Sequence, residues 1–400
     1  MPTSGGATTF RRKPTMTIPI GMAGLGAAGR AFIPAILSDS TFTLVAVADP
    51  NPEARAGANA EHGLEGYATL EAMLHHSKLD AVYIATPTEL HPEHVALACA
   101  AGKHVLVEKP MAVTLDQARA MIAAAERAGV MLVVGHSHSY DLPIRRMREI
   151  IVGGTLGRVR MVNTWCYTDW IYRPRRPEEL DILKGGGVTF RQGAHQFDIL
   201  RLLCGGMTRS VKARTFDWDP RRPCIGAHVA YLDFEDGAAA TAVYNGYGNF
   251  STMDLCFDIS EWGFQQSPES RKSARRSLPG TPEDELRAKQ LRAANAIPGS
   301  APNQPFFGIT LVSCEQGDIR QSPRGLLVYS DQGQVEIELA SNHSPRALVM
   351  AEFHDAITGK APALHDGRWG LANLEVCAAA IASSISGREV MLSEQTPVPV

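Results

Sequence analysis

The first 140 residues alternate between short apolar runs and longer segments whose apolar residues fall on one helical face. Runs rich in Val, Ile and Ala occupy residues 18–23, 42–48, 81–85, 104–107 and 130–135. The segments between them predict helices over residues 28–37, 92–101 and 115–128. Continuous apolar strands that alternate with amphipathic helices are typical of a parallel sheet covered on both faces. We therefore predict an α/β fold whose residues 17–140 form a doubly wound Rossmann domain.

The pattern changes in the rest of the chain, residues 141–400. Apolar and polar residues alternate there, which predicts strands over residues 157–167, 211–216, 228–234, 238–244 and 326–329. Short connections with Gly and Asp indicate a mostly antiparallel sheet with one face open for packing. A helix over residues 194–203 is expected to cover the other face. We predict a C-terminal α+β domain built on a large, open, mostly antiparallel sheet.

Three segments stand apart from these two patterns. Residues 1–16 are polar and are expected to be a disordered tail. Residues 265–305 are rich in Ser, Pro, Arg and Gln, which predicts a loop insertion with one short helix over 283–294. A basic cluster over 271–276 is interpreted as a solvated loop. A final helix over 370–386 is expected to pack back on the body of the protein.

Composition narrows the function classes. The chain has 400 residues, 44% of them hydrophobic and 20% charged, which is ordinary for a globular protein. A net charge of -3 disfavours nucleic acid and anionic membranes as partners. The seven cysteines contain no C-x-x-C pair, which favours reduced thiols in a cytoplasmic protein without a metal site. No apolar run approaches membrane-spanning length.

A glycine motif follows the first predicted strand and opens the first predicted helix. Its six residues are Gly24, Leu25, Gly26, Ala27, Ala28 and Gly29. The first glycine permits a tight turn, the second lets a pyrophosphate approach the backbone, and the third allows close packing of helix on strand. The free N–H groups at the helix start favour phosphate. The alternative is a purely structural glycine turn, but the strand–turn–helix context favours a dinucleotide.

Asp49 ends the second predicted strand, twenty residues after Gly29. A carboxylate at this place accepts hydrogen bonds from ribose hydroxyls and repels a 2′-phosphate. Residues 50–52 (Pro-Asn-Pro) offer no cation to hold such a phosphate. We therefore expect NAD rather than NADP as the cofactor.

Two further polar blocks follow later strands, at the edge where open α/β sheets bind ligands. The first contains Thr86, Pro87 and His91, and the second contains Glu108 and Lys109. A lysine near a cationic nicotinamide can have a lowered pKa and exchange a proton with a substrate hydroxyl. The alternative for Lys109 is a surface lysine in a salt bridge.

These blocks, together with the run from Gly185 to Asp198, resemble the glucose–fructose oxidoreductase, inositol dehydrogenase and rhizopine-catabolism (Gfo/Idh/MocA) superfamily. The resemblance implies Lys109 and His195 as catalytic residues. It also implies that the glycine motif, Asp49, Thr86, Pro87, His91, Glu108 and Lys109 bind the cofactor. Which of Lys109 and His195 is the base stays open.

Arg191 departs from that superfamily, whose polyol-oxidising members usually carry Asp at this position. An arginine has only donors, in a planar fork that suits a carboxylate. The alternative is an ion pair between Arg191 and a neighbouring acid, with Asp198 as one candidate. Four more residues are candidates for substrate binding by stacking or hydrogen bonding: Tyr167, Trp170, Arg173 and Gln192. The arginines of the loop over residues 167–176, which are Arg173, Arg175 and Arg176, could equally be charges at the rim of the site without a ligand.

Residues 191–198 and 314–323 further resemble the dihydrodiol dehydrogenases of phthalate degradation, and a chlorobenzoate cis-dihydrodiol dehydrogenase is similar. This resemblance implies NAD-dependent oxidation of a carboxylated cis-dihydrodiol, with 4,5-dihydroxy-4,5-dihydrophthalate as first candidate. The alternatives are a sugar, inositol or sugar-acid dehydrogenase, and a dinucleotide-binding regulator without catalysis. Because an open, partly apolar sheet face would otherwise meet water, we expect a homodimer or homotetramer.

Overall fold

The computed structural model describes residues 17–270, 280–294, 301–340 and 344–399. The predictions for the tail at 1–16 and for the basic cluster at 271–276 fall outside these described residues. Two sheets organise the chain. The first has six parallel strands and the second has nine mostly antiparallel strands, which confirms the predicted fold class.

The first sheet carries its strands in the order β3-β2-β1-β4-β5-β6. These strands are β1 (Ile18–Ala23), β2 (Phe42–Ala48), β3 (Glu65–Tyr67), β4 (Ala81–Ile84), β5 (His104–Val107) and β6 (Leu132–Val134). The helices between them are α1 (Ala27–Ser38), α2 (Pro52–His62), α3 (Leu70–Leu74), α4 (His91–Ala100) and α5 (Leu115–Ala128). The strand order reverses between β1 and β4, and the glycine motif lies at this crevice, where such sheets bind ligands.

The second sheet has the order β14-β13-β12-β11-β7-β10-β9-β8-β15. Its strands are β7 (Val159–Tyr167), β8 (Thr208–Phe216), β9 (Ala227–Phe234), β10 (Ala239–Asn245), β11 (Ile309–Cys314), β12 (Gly317–Gln321), β13 (Gly325–Ser330), β14 (Gly333–Glu338) and β15 (Val390–Met391). The β7–β10 pair is parallel and the other pairs are antiparallel. The remaining helices are α6 (Leu142–Gly153), α7 (Val188–Arg191), α8 (Gly193–Leu203), α9 (Pro282–Ala294), α10 (Pro345–Ile357) and α11 (Gly367–Ser386).

The two faces of the second sheet differ sharply. On one face, α8 packs across β7 and β10, and the Gln196 side chain donates a hydrogen bond to Thr164 Oγ1 (3.2 Å). The opposite face presents Trp165, Val229 and Tyr231, each about half exposed at 45–47%. Trp165 pairs with Val243, and Val243 with Val229, so these side chains form one apolar row across the sheet.

Helix α10 does not belong to the second domain, although its residues lie within the predicted range 141–400. Val349, Met350 and Phe353 are buried in one cluster with Tyr83 of β4 and Leu106 of β5. The predicted boundary at residue 140 stays a prediction, and the chain beyond it returns one helix to the first sheet. A match between a late helix and an early sheet is a tertiary property that local patterns do not reveal.

Helix α11 has 20 residues and is apolar enough to cross a membrane by length and composition alone. Polar residues interrupt it, among them Arg368, Asn373 and Glu375, so it contains no continuous apolar run of that length. The helix packs against β8, α5 and α8, and 67% of its most apolar window is buried inside the protein. Its apolar character is that of a core helix between the two sheets.

Candidate active site at the sheet crevice

The three glycines of the β1–α1 turn differ in the surroundings that a side chain would meet at each position. Gly24 has a φ of +96°, and a Cβ there would lie 2.6 Å from the carbonyl oxygen of Ala85. A Cβ on Gly29 would lie 2.0 Å from the Gly24 oxygen. Apart from Gly26 itself and its neighbours along the chain, no atom of the described residues lies within 4 Å of the Cβ position of Gly26. Packing thus requires Gly24 and Gly29, while Gly26 keeps open space before the N-terminus of α1. That space fits a pyrophosphate of NAD.

Asp49 lies beside this turn and is held in place by backbone groups. Its Oδ2 accepts a hydrogen bond from Leu25 N–H (2.7 Å), and its Oδ1 accepts one from Asn51 N–H (2.9 Å). Each carboxylate oxygen can accept a second hydrogen bond, as a ribose diol requires.

A cation nevertheless lies near Asp49. The Arg55 guanidinium on α2 donates to the carbonyl oxygens of Asp49 (2.6 Å) and Pro50 (3.1 Å). Residues 50–52 contain no cation, but the first turns of α2 return Arg55 to the end of β2. The repulsive carboxylate of Asp49 is now the only argument for NAD over NADP that remains from the sequence.

His91 connects the two polar loops. Its Nε2 lies 2.9 Å from the Thr86 oxygen and its Nδ1 lies 3.1 Å from the Pro110 oxygen. Burial lowers its pKa to about 4, so the neutral ring donates its single N–H to one of these carbonyl groups at a time. Because His91 is only 1% exposed, it positions the loops rather than lining the cofactor crevice. Thr86, followed by Pro87, packs directly against Gly24, at the edge of the crevice.

Glu108 and Lys109 follow β5 at the same edge. Glu108 accepts hydrogen bonds from the Tyr83 hydroxyl (2.6 Å) and from Lys109 N–H (3.2 Å), which fixes the loop. The Lys109 ammonium donates to the backbone oxygen of Arg191 (3.0 Å). Lys109 is therefore hydrogen-bonded to the second domain, and no ion pair to it is found among the described residues. Desolvation, opposed by Glu108 and reinforced by Arg191, lowers its pKa to about 8.

His195 lies in the first turn of α8 and is almost fully buried. Its ring packs edge-on against His138 (centroids 4.6 Å apart) and Phe307 (5.1 Å). Its Nδ1 has no hydrogen-bond partner among the described residues. Burial lowers its pKa well below 6.5, and Lys109 is the charge with the largest effect in the same direction. The structure thus brings Lys109 and His195 together and keeps the imidazole neutral.

Arg191 ends α7, beside Lys109. Its Nε and Nη2 are buried and lack hydrogen-bond partners within the described part of the chain. The sequence alternative, an ion pair with Asp198, is excluded. Asp198 accepts a hydrogen bond from Trp369 Nε1 (2.7 Å) and lies 3.4 Å from His365 Nε2. A buried, unpaired guanidinium at the edge of a crevice is suited to an anionic ligand group.

Two of the predicted substrate residues, Tyr167 and Trp170, are engaged in contacts away from this site, and a third, Arg173, is held in ion pairs. Tyr167 shares its sheet face with Trp165, opposite α8, and its ring packs on Phe250 (5.4 Å). Trp170 is buried beneath the Arg175 guanidinium (3.9 Å). Arg173 pairs with Asp169 (2.7 Å) and Glu261 (3.4 Å). Strand register and ion pairing, which the sequence does not reveal, decide these outcomes.

Gln192 remains at the site, between α7 and α8. Its carbonyl oxygen accepts a hydrogen bond from His195 N–H (3.0 Å). The backbone of Gln192 thus helps to set the position of the imidazole.

Four residues that the sequence analysis missed also surround His195. His138 stacks on Phe307 (centroids 4.3 Å apart) and lies 5.6 Å from the Trp262 ring. The Arg346 guanidinium lies over Trp262 (4.8 Å). These residues come from four distant parts of the chain and form no motif. The one available signal was the position of His138, which follows β6 at the same sheet edge as Lys109.

A buried polar cluster supports the site from behind. Burial alone would lower the pKa of His365, but Asp198 and Glu352 raise it to about 9. The Ser139 hydroxyl completes the contacts of this ring at 2.9 Å. Among the residues that the structure describes, no group of three or more His, Cys, Asp or Glu side chains could hold a metal ion.

Comparisons with known proteins agree with this architecture. Residues 18–136 match the model of an oxidoreductase family with an NAD-binding Rossmann fold. Residues 144–260 match the model of the GFO/IDH/MocA C-terminal domain.

Two curated relatives and one solved structure extend the comparison. A 1-carboxy-3-chloro-3,4-dihydroxycyclohexa-1,5-diene dehydrogenase of Comamonas testosteroni is 38% identical over 90% of this chain and 93% of its own. The rhizopine catabolism protein MocA of Rhizobium meliloti is 33% identical over 49% of this chain and 60% of its own. A crystal structure from Bordetella bronchiseptica RB50 is 43% identical, with a TM-score of 0.89, over 94% of this chain and 100% of that one.

Proposed function

Because this chain belongs to the GFO/IDH/MocA family of NAD-binding oxidoreductases, we propose that it oxidises a carboxylated cis-dihydrodiol to a carboxylated catechol. The first candidate substrate is 4,5-dihydroxy-4,5-dihydrophthalate, which would give 4,5-dihydroxyphthalate. A monocarboxylated cyclohexadiene diol, of the kind named for the Comamonas relative, is the second. The observation that carries the proposal is the buried, unpaired guanidinium of Arg191 beside Lys109.

The residues of the site divide the work of this reaction. The glycine motif and Asp49 would hold NAD, which would supply the hydride acceptor for the carbinol carbon. Lys109 takes the hydroxyl proton, because its lowered pKa supplies neutral amine near neutral pH. His195 stays neutral and orients the hydroxyl. The resulting ketone tautomerises to a catechol, so aromatisation favours oxidation.

Arg191 would select the substrate by its charge. The planar guanidinium can bind a ring carboxylate through two parallel hydrogen bonds, which a lysine cannot reproduce. Asp49, at the ribose end, would favour NAD over NADP.

A substitution series at Arg191, assayed by NADH formation, tests the proposal. Arg191→Lys should raise KM for a carboxylated cis-dihydrodiol at least tenfold, because a charge-assisted contact is worth about 1.5–3 kcal/mol. Arg191→Asp should abolish that activity, since it places a negative charge beside the substrate carboxylate. Both variants should retain most activity on an uncharged cis-dihydrodiol. Equal losses on the two substrates would mean that Arg191 is structural.

The same assay separates the competing substrate classes. Inositol, neutral sugars and sugar acids belong in the panel, because curated relatives include an inositol 2-dehydrogenase at 31% identity over 50% of this chain. Faster NADH formation with any of these than with the carboxylated diols would overturn the dihydrodiol assignment. No turnover of any panel member, with NAD binding retained, would favour a regulator.

A further inference from the structure

Helix α9, within the insertion that follows β10, places a lysine beside the neighbourhood of Arg191. We propose that Lys289 is a positioning residue: it holds the carboxylate of Glu179 and thereby leaves the Arg191 guanidinium free for a substrate carboxylate. The inference rests on the proposed function and deepens it, because it names what keeps the substrate-binding arginine available.

Glu179 is fixed close to the α7 segment by backbone contacts. The Gly187 N–H donates a hydrogen bond to the Glu179 carbonyl oxygen (2.9 Å). A Cβ on Gly186 would lie 2.7 Å from the Glu179 carbonyl carbon, so the glycine run wraps tightly around this turn. Glu179 is itself 7% exposed. The carboxylate therefore cannot escape into solvent if it loses its partners.

Arg191 and Glu179 attract each other electrostatically but do not form an ion pair. Of all acids, Glu179 exerts the strongest Coulombic attraction on the Arg191 guanidinium. No ion pair between the two is found among the described residues. Instead, Glu179 Oε2 accepts hydrogen bonds from Arg176 N–H (2.7 Å) and from the Lys289 ammonium. Although burial opposes it, Lys289 leads the charges that hold the pKa of Glu179 well below its usual range.

Helix α9 is docked so that Lys289 has a defined position. One turn earlier, the Glu285 carboxylate accepts hydrogen bonds from Arg222 Nη2 (2.6 Å) and from Arg175 N–H (2.7 Å). The helix also contacts α1 of the first domain. The same face of α9 thus supplies the Glu285 carboxylate to Arg222 and the Lys289 ammonium to Glu179. Without the Lys289 ammonium, Glu179 would keep only the longer ion pairs with Arg175 Nη1 and Arg176 Nε (3.9 Å each), and its carboxylate would be free to draw in the Arg191 guanidinium as well.

Lys289→Met tests the inference, because methionine keeps the length of the side chain and removes its charge. We expect KM for a carboxylated cis-dihydrodiol to rise about tenfold, with kcat within twofold and with an uncharged cis-dihydrodiol unaffected. The double variant Glu179→Gln with Lys289→Met should return KM to within about twofold of the parent value. A neutral amide has no charge with which to capture the guanidinium. Arg287→Met, on the exposed side of the same helix, is the matched control and should change neither constant.

The outcomes are distinguishable. An unchanged KM in Lys289→Met would overturn the inference. So would a rise on both substrates, or a failure of the double variant to restore KM, because either result would assign Lys289 a purely structural role. If Arg191→Lys itself loses activity equally on the charged and the uncharged substrate, the proposed function fails instead.

Discussion

Lys109 and His195 differ in the property that decides which of them takes the proton. The site lowers the pKa of Lys109 to about 8, whereas it lowers the pKa of His195 well below 6.5. A base must be unprotonated to accept a proton, so activity should increase as the pH rises through the pKa of the base. We predict that kcat/KM for the diol rises with pH through a limb near pH 8.

The pH profile of two variants checks this assignment. Lys109→Ala should lose at least about 10²-fold in kcat and lose the limb near pH 8. His195→Ala should lose activity but retain the limb. A rising limb below pH 6.5 that disappears in His195→Ala would instead identify the imidazole as the base.

At the residue scale, the sequence predicted the side chains whose positions follow directly from strand ends. Asp49 and Lys109 each follow an apolar strand, so their common edge could be inferred before any contact was known. Tyr167 lies on the sheet face opposite α8, and Arg173 is held in ion pairs with Asp169 and Glu261. The face of a strand and the choice of an ionic partner depend on neighbours from distant segments, and so does the contact of Arg346 with Trp262.

At the scale of elements, the same substitution of glycine by alanine should have different effects at two positions of the β1–α1 turn. Gly29→Ala would force a Cβ to within 2.0 Å of a carbonyl oxygen, so we expect a loss of about 1–3 kcal/mol in stability. The added methyl group of Gly26→Ala contacts no described residue beyond its chain neighbours, so this variant should leave the Tm within about 2 °C.

NAD binding provides a second measurement on the Gly26→Ala and Gly29→Ala variants. Gly26→Ala should weaken NAD binding at least about tenfold, because its methyl group occupies the space left for the pyrophosphate. Thermal unfolding and NAD titration of both variants provide the measurements. Normal NAD affinity in Gly26→Ala would contradict the placement of the pyrophosphate at this turn.

The elements that the sequence predicted are those with a strong apolar pattern. Strands β2 and β5 and helix α5 were predicted within one residue at each end. Strand β3 was missed because Glu65–Tyr67 contains no apolar run and leaves two of its three residues exposed. Strand β12 buries a single large apolar residue, Ile319, which gives no recognisable alternation.

At the scale of the whole molecule, the exposed apolar face of the second sheet is a candidate interface with another protein chain. We propose that a second copy of the chain covers the row of Trp165, Val243 and Val229, because a monomer would leave this apolar row in water. Light scattering at micromolar concentration should give the mass of a dimer or tetramer.

Substitution of that row should dissociate the oligomer. Trp165→Lys combined with Val229→Lys should yield monomers, because buried ammonium groups are costly in an interface. Val152→Lys, at an exposed apolar position on α6 away from this sheet face, is the control and should leave the mass unchanged. A parent protein that is monomeric at micromolar concentration would refute the proposal.

The return of α10 to the first sheet has a consequence for biosynthesis. Ribosomes deliver β4 and β5 long before α10, so Tyr83 and Leu106 lack their apolar cover while more than 200 further residues are translated. The first domain of the nascent chain therefore exposes an apolar surface until about the last tenth of the chain is being translated. Premature stop codons upstream of α10 should thus yield chaperone clients and protease substrates rather than a shortened dinucleotide-binding protein.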